Sequence, residues 1–287
     1  MERLDLDIAE ALAERWEGLP HRLGLSPHRD AQWSDFVQLP PNRDLPGWVD
    51  DAPTGSILPR DRVAAFEQAH HLAAAWGIVA DRMDDGQLAE SAPFEAPRGA
   101  LLAAWEVALH RACGDLALAR ATVGDSLQAW ERGTALERSL FQKPIGPSGA
   151  ALYARSVGLR LTWVHATSTA MLKTAGQPER VEGLRASHAA FMCGLQCRDD
   201  AFDADDDRRV RGAAVHEVLG VPRGALVRAA PASLRRASTL AHAHGFHRLG
   251  AWIAGFVEQV DVHLDEGDHF QCELAGLVLS AAIAEVA

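Results

Sequence analysis

Leu72-Ala73-Ala74-Ala75-Trp76-Gly77-Ile78-Val79-Ala80 runs without an ionisable side chain straight into Asp81-Arg82-Met83-Asp84-Asp85-Gly86-Gln87. A helix built on the first segment has no polar face, so it is buried all round just before the acids begin. The pattern continues outward. From Asp61 onward, Ala- and Leu-rich stretches carry apolar residues at helical spacing, and no sustained period-two alternation rich in Val, Ile and Thr argues for a sheet. Breaks at Pro93 and Pro97, at Pro144 to Pro147, at Gly176-Gln177-Pro178, at Gly220 to Pro222, at Pro231 and at Gly245 divide this part into helices. Their expected spans are about 62–90, 98–114, 115–139, 148–174, 178–204, 223–243, 246–264 and 270–286. Helices of that length are partly buried along their whole course in a bundle, and no repeat of 20–50 residues suggests a solenoid. The expected fold class is all-α. Residues 1–60 contain Pro20, Pro27, Pro40, Pro41, Pro46, Pro53 and Pro59. After a first amphipathic helix near 5–17, that region reads as a mostly extended arm, leaving 61–287 as a single α-helical catalytic domain.

Composition removes several classes. Of 287 residues, 48% are hydrophobic and 23% charged, the profile of an ordered globular chain. Lys and Arg number 28 against 39 Asp and Glu, a formal charge of -11 that repels a phosphate backbone, so no nucleic-acid partner is expected. No apolar run reaches the roughly 18 residues of a membrane span, and the start Met1-Glu2-Arg3-Leu4-Asp5 has no basic, then apolar, leader pattern. Cys113, Cys193, Cys197 and Cys272 form no CxxC pair. The expectation is a cytoplasmic protein without membrane insertion.

The strongest chemical signal is Gly194-Leu195-Gln196-Cys197-Arg198-Asp199-Asp200-Ala201-Phe202-Asp203, followed by Asp205, Asp206 and Asp207. On a helix Gln196, Asp199, Asp200 and Asp203 stand at i, i+3, i+4 and i+7, which places one amide and three carboxylates on one face. Like charges so close repel. A hard divalent cation such as Mg²⁺, which takes carboxylate oxygens together with substrate phosphates, relieves that repulsion; a solvated acidic helix end is the alternative. Apolar Phe191, Met192, Leu195 and Phe202 surround the cluster. Upstream, Asp81, Asp84 and Asp85 repeat the arrangement at i, i+3 and i+4. Two such clusters, each ending a buried helix, suit a clamp on a polyanion through metal ions.

These residues resemble the trans-isoprenyl diphosphate synthase family and the class I terpene cyclases that share its fold. Leu195-Gln196-Cys197-Arg198-Asp199-Asp200-Ala201-Phe202-Asp203 is similar to the family's second aspartate motif, FQxxDDxLD, nearly position for position. Asp84-Asp85-Gly86-Gln87-Leu88 looks like the first, DDxxD, with Leu88 at the third aspartate and Asp81 one turn earlier as a substitute. Cys113-Gly114-Asp115-Leu116 resembles the AGDxLL helix start, and Tyr153 followed by Arg160 the Y-x6-K-T segment. The likeness spans residues 60 to about 210. It implies an isoprenoid-synthase-type bundle of long helices around a central cavity, three Mg²⁺ ions, an allylic prenyl diphosphate substrate and a homodimer formed through helices between 98 and 139.

Departures decide between branches. The resemblance leads one to expect a Gly-Lys-x-x-Arg arm, a histidine seven residues before the first motif and an Arg-Arg-Gly after it. This chain has no lysine in residues 1–142, Gly77 at the histidine position, and Pro93-Phe94-Glu95-Ala96-Pro97-Arg98-Gly99 after the motif. The N-x-x-x-S-x-x-x-E motif of terpene cyclases is also missing. With a second diphosphate pocket lost, the expected activity is that of a terpene synthase giving a hydrocarbon or alcohol. The alternatives are a short-chain prenyltransferase making geranyl, farnesyl or geranylgeranyl diphosphate, and a catalytically silent regulatory subunit. By resemblance, Asp84, Asp85, Asp199 and Asp200 are the catalytic candidates, and Asp81, Asp84, Asp85, Asp199 and Asp203 hold metal. Arg160, Gln196, Arg198, Arg208 and Arg209 face the diphosphate, and Trp76, Ile78, Val79, Phe94, Trp163 and Phe191 line the cavity. Arg208-Arg209-Val210-Arg211 reads equally as a solvated basic turn. The histidines His242, His244 and His247, and the acidic patch Asp261, Asp265, Glu266 and Asp268, read as surface or helix-end groups.

Overall fold

Apolar residues at helical spacing dictate helices here, and proline and glycine positions set where they stop. The computed structural model of the chain describes residues 3–12, 18–37, 40–52, 55–86, 88, 94–142, 146, 149–260 and 269–286. The fold is all-α. The helices are α1 (Arg3–Leu12), α2 (Leu19–Arg22), α3 (Pro40–Val49), α4 (Arg60–Asp84), α5 (Glu95–Cys113), α6 (Leu116–Gln142) and α7 (Ala150–Arg160). They continue with α8 (Thr162–Thr174), α9 (Val181–Phe202), α10 (Ala204–Arg211), α11 (Val215–Val218), α12 (Arg223–Ala243), α13 (His247–Val257) and α14 (His269–Val286). A two-residue antiparallel ribbon pairs Asp51 with Ser56 and Ala52 with Gly55. Among the described residues no helix is long and apolar enough to cross a membrane. The acidic patch Asp261, Asp265, Glu266 and Asp268 lies outside the described residues.

The chain folds as two compact units, Met1–Leu127 with Trp163–Pro178, and Gln128–Thr162 with Glu179–Ala287. In the first, α4 is the hub. Leu72 to Gly77 are buried without interruption, as their lack of a polar face requires, and α5, α3 and α1 pack on α4. The region between residues 18 and 60 differs from the extended arm its prolines suggested. It carries α2, a 3-10 turn at Trp33–Asp35 and α3, with Leu19, Leu23, Leu45 and Val49 buried. Pro40 begins α3, where its missing N–H costs nothing, and burial of Leu45 and Val49, four residues apart on one face, carries the helix past Pro46.

In the second unit α9 and α12 form the central pair, and α13 and α14 pack on α12. Gly194 lets the pair approach: a Cβ there would lie 2.8 Å from Leu234 Cγ and 3.1 Å from the Ala230 carbonyl oxygen. The helix expected over 148–174 is interrupted at Leu161 (φ -99°, ψ 12°), which separates α7 from α8. At the end of α9, Asp203 leaves helical geometry (φ -90°, ψ 7°), and α10 begins one residue later.

Candidate functional site

The second acidic turn ends α9, and its direction follows from what lies beneath it. Phe191, Met192, Cys193, Gly194 and Cys197 are buried, so the next inward position on the same ridge is Asp200, which is 6% exposed. Its two oxygens are both used: the Tyr153 hydroxyl on α7 donates to Oδ2 at 2.5 Å and the Gln196 amide to Oδ1 at 2.8 Å. Burial pushes the Asp200 carboxyl up to about 7, against the two hydrogen bonds that favour its charged form and with the help of nearby Asp207 and Asp199. Burial, and then the Asp200 charge, also hold the Tyr153 phenol well above its usual range.

Asp199 and Asp203 are exposed. The single face expected for Gln196, Asp199, Asp200 and Asp203 therefore divides into two adjacent ridges, each an i, i+4 pair. Successive residues of a helix diverge by about 100°, so when Tyr153 and Gln196 hold Asp200 inward, Asp199 and Asp203 turn outward together. The donor set of this outer pair fits a magnesium ion, which is held by one or two carboxylates and completed by water and phosphate oxygens. Among the described residues no three His, Cys, Asp or Glu side chains gather into a ready metal cage.

The arginines near this turn have partners within the unit. Arg208 binds Glu217 at 2.8 Å and Asp205 at 2.8 Å, and Arg209 binds Asp206 at 2.5 Å; such exposed pairs contribute little to stability. Arg198 lies over the Phe202 ring, 4.8 Å from its centroid. Arg160, only 12% exposed, binds Glu137 on α6 and lies 5.4 Å over the Trp130 ring. The same glutamate accepts from Arg211 at 3.0 Å, and Arg211 reaches toward Asp207 at 3.8 Å. Glu137, Arg211 and Asp207 thus form a partly buried ion network around Arg160. Sequence reasoning did not select Glu137 or Trp130, because nothing local to α6 marks either residue.

In the first unit Asp81, Asp84 and Asp85 are half-buried at the last turn of α4, and Leu88 is half-buried beyond it. One turn before Asp81, Gly77 lies under Trp163: a Cβ at 77 would fall 2.3 Å from the indole Cε2 and 2.6 Å from Cδ2 and Cζ2. A histidine cannot occupy this position while Trp163, 7% exposed, stands there. Trp76, Val79 and Phe94 are buried and Ile78 is half-buried. Trp76 meets Trp105 at 5.9 Å between centroids, and Arg22 lies 5.7 Å over the Phe94 ring. Phe191 belongs to the second unit, packed by Trp252 and Phe256 at 5.8 and 6.2 Å.

His71 Nδ1 bonds Asp7 Oδ2 at 2.7 Å, both residues buried, and the His242 and His247 rings lie 5.8 Å apart at 36°. No family model, curated protein or solved structure matches this chain.

Proposed function

We propose that this chain is a class I terpene synthase with an isoprenoid-synthase-type bundle, which ionises an allylic prenyl diphosphate and converts it to a hydrocarbon or alcohol with release of diphosphate. The observation that carries this reading is the division of the α9 turn, with Asp199 and Asp203 outward as a pair and Asp200 satisfied inside. The chemistry magnesium supplies when bound is neutralisation of the departing diphosphate. Asp199 and Asp203 would hold it, with Asp84, Asp85 and Asp81 as the corresponding candidates on α4. Arg198 stands on the same turn and would orient the headgroup, while Gln196 is engaged with Asp200 on the inward ridge. Apolar side chains such as Trp76, Val79 and Phe94 would exclude water from a carbocation. The Trp163 indole over Gly77 supports a single-substrate reaction, because it fills a place where a cationic side chain for a second diphosphate would stand.

A silent regulatory subunit is the second reading, favoured by the carboxylate partners of Arg160, Arg208 and Arg209. Incubation with geranyl, farnesyl and geranylgeranyl diphosphate and Mg²⁺, with and without isopentenyl diphosphate, separates the readings. A synthase releases diphosphate from one allylic substrate alone and is indifferent to isopentenyl diphosphate. A product five carbons longer establishes a prenyltransferase, and no release from any substrate establishes the silent subunit.

A further inference from the structure

We propose that Tyr153 is the positioning residue of the second acidic turn: by holding Asp200 inward, it fixes the rotation of α9 that presents Asp199 and Asp203 as a pair to a divalent cation. This rests on the reading of that pair as a metal site.

Tyr153 is 4% exposed and is the only tyrosine in the chain. Its hydroxyl lies 2.5 Å from Asp200 Oδ2, and Gln196 takes the other oxygen. With both oxygens engaged, Asp200 can join a cation held by Asp199 and Asp203 only by breaking two buried hydrogen bonds, which carries a desolvation penalty for each group left unpaired. A second tie between the same helices lies two turns earlier, where Cys193 Sγ donates to the Ala154 carbonyl at 3.6 Å. The two ties, seven residues apart on α9 and on neighbouring positions of α7, set the rotation of one helix against the other. Arg223 completes the support by donating to the Ala201 and Phe202 carbonyls at the end of α9. A tyrosine that only filled space would not need a carboxylate partner.

The test uses the full chain and Mn²⁺ as the probe, with bound metal read from loss of the free-ion electron paramagnetic resonance signal. Tyr153→Phe removes one oxygen and keeps the ring. Removing an outer group that fixes the orientation of metal ligands typically changes affinity by about ten-fold or more, so the variant should bind Mn²⁺ about ten-fold more weakly than wild type while its circular dichroism stays unchanged. Adding Tyr153→Phe to Asp199→Ala should cause no further loss, since the two act through one site. A fluorine label on the sole tyrosine gives one resonance, which should move with Mg²⁺ in wild type and stay fixed in Asp199→Ala/Asp203→Ala. This second measurement decides the matter should Tyr153→Phe fail to fold. Wild-type Mn²⁺ affinity in Tyr153→Phe, or a fluorine resonance indifferent to Mg²⁺, overturns the positioning role while a loss in Asp199→Ala leaves the metal site standing. Unchanged Mn²⁺ binding in Asp199→Ala overturns the metal site and the positioning role together.

Discussion

Gly77→Ala sets two effects of opposite sign against each other. In a helix interior alanine is favoured over glycine by about 1 kcal/mol, so on propensity alone the substitution stabilises α4. The new methyl, however, would sit 2.3 to 2.6 Å from three carbons of the Trp163 indole, where carbon atoms at rest stand about 3.5–4.0 Å apart. The indole must shift by more than an ångström, and it is buried, so the move disturbs what packs behind it. Overpacking of this kind costs about 1–3 kcal/mol, and the closeness of three contacts at once puts this case at the upper end. The net expectation is a loss of about 2 kcal/mol, a fall in Tm of about 4 °C for a chain of this size. Calorimetry on wild type, Gly77→Ala, Trp163→Leu and the double variant tests the reasoning. Trp163→Leu alone destabilises by leaving a void, but in its background Gly77→Ala should raise Tm, because only the helix-propensity effect remains. A Gly77→Ala variant that is more stable than wild type refutes the close approach.

Asp199→Ala and Asp84→Ala should each abolish diphosphate release with little change in circular dichroism; activity equal to wild type at saturating Mg²⁺ would show the acidic turns to be merely solvated. Burial pushes the Asp200 carboxyl from its ordinary 3.8 up to about 7, so its favourable contribution is complete below about pH 4 and is lost as pH rises through about 7. Wild type should therefore lose up to about 4 kcal/mol relative to Asp200→Asn between pH 4 and pH 8, and parallel urea stabilities across that range would contradict the burial argument. A homodimer through residues 98–139 is expected by resemblance, and a monomer mass in light scattering at micromolar concentration would remove it.

How far the sequence could be read depended on whether the deciding contact was local. The starts of α12 at Pro222 and of α13 after Gly245 follow from residues at the boundary itself, and both helices lie within two residues of where the pattern put their first turns. The break at Leu161 had no such signal, since neither proline nor glycine stands there. Prolines misled in the opposite direction at α3. Pro40 suits a helix start, and the burial that sustains the helix, of Leu45 and Val49 in the unit built on α4, is tertiary. The acidic turn shows the same limit in the site. Spacing put Gln196, Asp199, Asp200 and Asp203 on one face, and the fold splits that face into the i, i+4 pairs Gln196 with Asp200 and Asp199 with Asp203. What holds Asp200 on the inward ridge, beyond the buried residues of α9 beneath it, is a hydroxyl 47 residues earlier in the chain.

Charge followed the same rule. The composition shows that all but two of 28 cations are arginines, but not what they do. In the fold, three of them close helix ends. Arg62 donates to the carbonyls of Ala112 and Cys113 at the end of α5. Arg180 donates to those of His244 and Gly245 after α12, and Arg223 to those of Ala201 and Phe202 at the end of α9. The last carbonyls of a helix have no partner within it, and a cation there also meets the negative end of the helix dipole. A guanidinium spans two adjacent carbonyls with its planar fork, whereas a lysine ammonium presents a strongly hydrated point charge on a flexible stem. The acidic turn itself is held this way, since Arg223 secures the backbone that carries Ala201 and Phe202, between Asp200 and Asp203. An arginine-rich, lysine-poor composition is therefore accounted for in part by helix termination, and the arginines that serve it cannot be told from sequence apart from those that would serve a ligand, because the carbonyls they meet lie between 21 and 65 residues away.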